Sequence, residues 1–179
     1  MKLKMPYGIS NYEKIVRDGY YYVDKTMYIE KLENMPETSI MFLRPRKFGK
    51  TLFTSVIENY YDKNRVEKFE KLFKNTYIGK NPTKLKNSYC ILRFNFSGIN
   101  TETEETTMFG FKEKVSISIY GFTKRYGIDF FVNPEQTVEG ILKSLIEAFS
   151  VQKPNDKIYV IIDEYDHFAN ELLGFYPEN

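Results

Sequence analysis

Three short stretches read as strands with little polar alternation: Ser39 to Leu43, Tyr89 to Phe96 and Ile158 to Ile162. A strand with one wet face alternates apolar and polar residues, whereas a strand covered on both faces does not. Helical patterns separate the three. One carries Leu52, Phe53, Val56, Ile57 and Tyr60 on one face, and the next Val66, Phe69, Leu72 and Phe73. A long one places Met108, Phe111, Val115, Phe122 and Tyr126 inward, with Gly110 and Gly121 weakening its continuity. Another buries Ile141, Leu142, Leu145, Ile146 and Phe149 behind the start signal Asn133-Pro134-Glu135-Gln136. Strand and helix in alternation predict an α/β fold with a parallel sheet and helices on both faces. Ligands of such sheets lie at the carboxyl ends of the strands.

Chain length and composition narrow the class. The 179 residues, 42% hydrophobic and 28% charged, predict one globular domain with a core of its own. One Cys and one His exclude a disulfide framework and a Cys- or His-rich metal cluster. Cys90 is expected as a small buried hydrophobe, and His167 as a surface or packed histidine. No apolar run is long enough to span a membrane, and Met1 to Pro6 lacks a signal-peptide core. A soluble, cytoplasmic protein is expected. Net charge is only +2, but residues 1–90 carry 18 Lys and Arg against 10 Asp and Glu, and residues 91–179 carry 8 against 14. The basic set from Lys63 to Lys86 offers a nucleic-acid surface, but Glu67 and Glu70 interrupt it and solvation is the simpler reading.

Local start signals add detail. Ser10 and Glu13 form a candidate capping box, as do Thr101 and Glu104. Tyr20 to Val23 reads as a short strand, and Asp24 as the cap of the helix that follows it.

Chemistry concentrates at two strand ends. After Leu43 comes Arg44-Pro45-Arg46-Lys47-Phe48-Gly49-Lys50-Thr51, leading into a helix. Its last three residues match the phosphate loop G-x-x-x-x-G-K-[ST], with Arg44 where the first glycine belongs. Gly49 lets backbone approach phosphate oxygens, and the amides and dipole of a helix start attract an anion. Lys50 would reach the terminal phosphates and the Thr51 hydroxyl would ligate magnesium. Arg44, Arg46 and Lys47 add positive charge, and Phe48 completes the loop. The second end is Asp163-Glu164 after the third strand. Asp163 would hold magnesium, commonly through water, and Glu164 would polarise the attacking water. Asp166 would cap the next segment or assist the metal.

The stretches Tyr7 to Ile15, Gly19 to Thr26, Leu43 to Leu52 and Ile161 to Asp166 together resemble the bacterial and archaeal AAA-ATPase-like family. The resemblance runs in order over nearly the whole chain, and Arg44 agrees with the family pattern. It implies a three-layer P-loop NTPase-type parallel sheet with flanking helices, ATP and magnesium as cofactors, and a glutamate beside the strand-end aspartate. Members usually run longer and often carry a PD-(D/E)XK nuclease-like domain, which implies a nucleic-acid partner through a domain not present here. Only 16 residues follow Asp163. The strand that carries the sensor residue and lies between the acidic and loop strands is therefore expected to be missing. Residues 1–179 then form the N-terminal part of the domain, with an incomplete sheet and a tendency to self-associate. Three readings follow: ATP binding with hydrolysis in the complete protein, a nucleotide-sensing or interaction module without turnover, and a nucleic-acid-associated fragment of a nuclease-linked ATPase.

Overall fold

The computed structural model describes residues 4–43, 45 and 47–165. Arg44, Arg46, Asp166 and His167 lie outside the described residues. The chain divides into two compact units, residues 1–89 and 90–179. This boundary coincides with the change in charge: the first unit holds the excess of Lys and Arg, the second the excess of Asp and Glu.

The first unit is helical. It contains α1 (Tyr12–Arg17), α2 (Met27–Glu33), α3 (Lys50–Tyr61), a 3-10 turn (Lys63–Lys68), α4 (Phe69–Phe73) and α5 (Tyr77–Lys80). Most of these are too short to persist alone, so packing must hold them. Tyr12, Ile15, Ile29, Val56, Tyr60, Phe73 and Ile78 are fully buried. The Phe73 ring lies 5.2 Å from that of Tyr12 and 5.7 Å from that of Tyr60, in geometries aromatic pairs favour. The polar groups of buried Tyr12 are satisfied: its hydroxyl donates to the Leu72 carbonyl at 2.8 Å and its amide to Ser55 Oγ at 3.0 Å. Arg65 donates to Glu13 at 2.7 Å and to Asn59 Oδ1 at 2.8 Å, tying α1 to the end of α3.

Asp24 acts as a cap, but not of the helix expected. One carboxylate oxygen accepts the Thr26 amide at 2.8 Å and the other the Tyr77 amide at 2.6 Å, at the start of α5. Thr26 Oγ1 accepts the Ile78 amide at 3.1 Å. Asp24 and Thr26 thus fasten α5, 53 and 52 residues on. In α1 the cap is Asn11, accepting the Lys14 amide at 2.8 Å, in place of Ser10. The expected strand from Tyr20 to Val23 is reduced to one bridge between Lys4 and Tyr20.

Ser39 to Leu43 is not a strand among the described residues. Ile40, Met41 and Leu43 stand 43%, 66% and 74% exposed. Apolar composition favours burial, but a strand exists only through a ladder with a neighbour, and the sheet formed by the described residues has two members, neither of them this one.

Those two members are β1 (Tyr89–Asn95) and β2 (Lys157–Asp163), paired in parallel. The Phe96 amide extends the pairing to the Asp163 carbonyl at 3.1 Å. A parallel pair requires a crossover, supplied by α6 (Glu104–Tyr126) and α7 (Val138–Gln152). Cys90, Leu92 and Phe94 of β1 share a core with Val115, Ile119 and Phe122 of α6 and Ile141, Leu145 and Phe149 of α7. Cys90 is therefore the buried hydrophobe expected. Met108 and Ile146 are exposed instead of inward, each turned off its helix's buried stripe. The helix α6 runs unbroken through both glycines. At Gly110 a Cβ would stand 3.0 Å from the Ile99 side chain, so glycine leaves Ile99 its place. The caps again shift from those expected: Thr103 with Thr106 starts α6, and Thr137 starts α7.

Candidate functional site

The loop residues Lys47, Phe48, Gly49, Lys50 and Thr51 form one turn leading into α3. The Phe48 amide donates to the Pro45 carbonyl at 3.3 Å, closing the turn. Lys47 has φ 67° and Gly49 φ 80°, both left-handed. Gly49 is the N-cap of α3, and its carbonyl accepts the Phe53 amide at 2.9 Å as the first helical bond. A left-handed N-cap is open to glycine at little cost. It brings no side-chain acceptor of its own to the first turn of α3. Left-handed and right-handed residues in succession turn backbone amides toward a common concavity, the geometry that receives anions. Lys50 and Thr51 are half-buried at the first two helical positions, and Phe48 is exposed.

The acidic end is built differently. Asp163 closes β2 and is 4% exposed. Its Oδ2 lies 2.9 Å from an Arg93 guanidinium nitrogen. Arg93 is in β1 and shares the sheet face of Asp163, because parallel neighbours keep register and side chains alternate. Glu164 follows at φ 57°, a left-handed conformation uncommon for a residue with a side chain. It is half-buried and turns the chain out of the strand, after which Tyr165 packs against the α6–α7 core.

Lys47 to Thr51 are thus gathered in the first unit, and Asp163 and Glu164 stand adjacent in the second. Sequence reasoning passed over Arg93. The signal was there: one cation within Tyr89-Cys90-Ile91-Leu92-Arg93-Phe94, a strand otherwise apolar. Arginine is seldom placed in such a strand without an acid to meet it.

A family model described as a predicted AAA-ATPase matches residues 6–178. The chain belongs to that family. Membership in the predicted AAA-ATPase family implies a nucleotide ligand. The chain is also 40% identical over 62 residues to an "Uncharacterized protein in vnfD 5'region" of Azotobacter chroococcum mcd 1. That match covers 34% of this chain and 12% of the relative's length. No solved structure matches the chain. No helix among the described residues is long and apolar enough to cross a membrane.

Proposed function

We propose that this chain binds magnesium-ATP through Lys47 to Thr51, with Arg44 and Arg46 as further anion contacts, and that the complete protein hydrolyses the nucleotide. The observation that carries the reading is the left-handed pair Lys47 and Gly49 immediately before α3, in a chain of the predicted AAA-ATPase family. The amides at the start of α3 receive phosphate oxygens and Lys50 adds a mobile point charge to them. Hard oxygen donors suit magnesium, which takes one or two protein ligands and keeps several waters. The Thr51 hydroxyl and the Asp163 carboxylate are such donors, and the described residues contain no cluster of three acidic, His or Cys ligands to compete with them. Magnesium carried on the nucleotide would neutralise phosphate charge. Glu164 would accept the proton of the attacking water.

Titration calorimetry with magnesium-ATP on the wild type and Lys50→Ala tests the binding half. The charge-assisted contact is worth about 1.5–3 kcal/mol, so affinity should fall at least about 10-fold; equal affinity overturns the assignment. Glu164→Gln in the complete protein should keep affinity and reduce phosphate release about 100-fold or more. Binding by the wild type with no phosphate release would instead establish a sensing module.

A further inference from the structure

We infer that Arg93 is a positioning residue that holds the Asp163 carboxylate and keeps free divalent cations off it. The inference rests on the magnesium-nucleotide reading and deepens it. Asp163 is 4% exposed, so its carboxylate cannot rely on water for solvation. The structure supplies a guanidinium instead, 2.9 Å from Oδ2, from a side chain itself 24% exposed. A carboxylate paired in this way keeps one orientation, because the strands fix both Cα positions and the planar guanidinium fixes the approach. It also carries a compensated charge. A divalent cation arriving alone would share that carboxylate with a positive group already seated on it, and like charges close together in a poorly hydrated site repel strongly. Arg93 therefore keeps Asp163 oriented and unattractive to free divalent ions.

The probe is manganese alone, followed by electron paramagnetic resonance at pH 8 without nucleotide. Wild type and Arg93→Lys, which retains the charge, should bind manganese equally weakly. Arg93→Met and Arg93→Gln should bind it at least about 10-fold more tightly, and Asp163→Asn in the same background should remove the gain. The proposal is overturned if the neutral variants bind manganese no better than wild type, or if the gain survives Asp163→Asn. Loss of native circular dichroism in both neutral variants would overturn it too, by making Arg93 part of the scaffold alone. Separately, calorimetry on the wild type judges the nucleotide reading: failure to bind ATP refutes that reading, whereas the manganese comparison judges Arg93 without any nucleotide present.

Discussion

Gly79 sits inside α5, where replacing glycine by alanine ordinarily stabilises by up to about 1 kcal/mol. Here the sign should reverse. A Cβ at Gly79 would stand 1.7 Å from the Phe73 carbonyl oxygen and 2.4 Å from its carbon. Relieving this means opening the contact from 1.7 to at least 3.0 Å, a backbone movement of 1.3 Å. The carbonyl cannot drift. It accepts the Thr76 amide at 2.9 Å and the Thr76 hydroxyl at 2.8 Å, and Phe73 is wholly buried between Tyr12 and Tyr60. Overpacking of a fixed site costs about 1–3 kcal/mol. The Gly79 amide, which donates to Thr76 Oγ1 at 3.2 Å, would lose a capping bond of about 1 kcal/mol. Gly79→Ala should therefore destabilise by about 2–4 kcal/mol and lower the thermal midpoint by roughly 5–15 °C. Circular dichroism melts measure this, with Gly121→Ala as the control. Gly121 lies in α6 with nothing within 4 Å of a new Cβ, and alanine there should raise the midpoint by a degree or more. If Gly79→Ala melts at or above the wild type, the α4–α5 packing described here is wrong.

Asp24→Ala removes the acceptor of the Thr26 and Tyr77 amides and should cost about 1–2 kcal/mol in chemical denaturation, with Asp24→Asn recovering part of it. Tyr12→Phe leaves the Leu72 carbonyl without its 2.8 Å donor in a buried position and should cost about 1–3 kcal/mol, also read by denaturation. Hydrogen bonding from Lys68, reinforced by Arg65, holds the Glu13 carboxyl below the usual carboxylate range. A depressed folded-state pKa contributes stability above the unfolded-state value, lost as pH falls through the folded one. Melts from pH 7 to pH 3 should show wild type losing more stability than Glu13→Gln, and parallel curves would refute the role of the pair.

The elements readable in the sequence are those whose burial is set locally. For β1 and α3 the apolar face agrees with the structure, whereas Val160 and Ile162 of β2 stand exposed and Ile146 lies off the buried stripe of α7. Caps were harder. Ser10 and Asn11, or Thr101 and Thr103, are chemically equivalent choices, and packing further along the helix decides which residue ends up at the boundary. Asp24 shows the same limit in stronger form, since its second amide partner is 53 residues away and no local pattern points to Tyr77. The stretch from Ser39 to Leu43 has strand composition but no strand, because its ladder depends on a neighbour rather than on its own residues. Within the candidate site, the loop and the two acids were legible as motifs. Arg93 was legible only as a misfit.

Backbone conformation gives an independent indication of where chemistry is concentrated. Among the described residues, three with side chains adopt left-handed φ: Lys47, Asn87 and Glu164. Asparagine tolerates that region and needs little explanation. Here the Asn87 amide donates to the Tyr60 carbonyl at 2.9 Å and its side chain to the Asp62 carbonyl, which accounts for its conformation. Lysine and glutamate do not share that tolerance, and each left-handed residue costs about 1–3 kcal/mol. Such strain survives only where the surroundings or the function impose it. Lys47 stands two residues before Gly49-Lys50-Thr51, and Glu164 follows the acid that ends β2. Neither side chain is part of a buried core, so packing of these side chains does not impose the conformation. Motif spacing and φ angles are separate observations, one blind to geometry and the other blind to residue chemistry. Both single out the loop before α3 and the end of β2, and that agreement is what supports the proposed nucleotide reading.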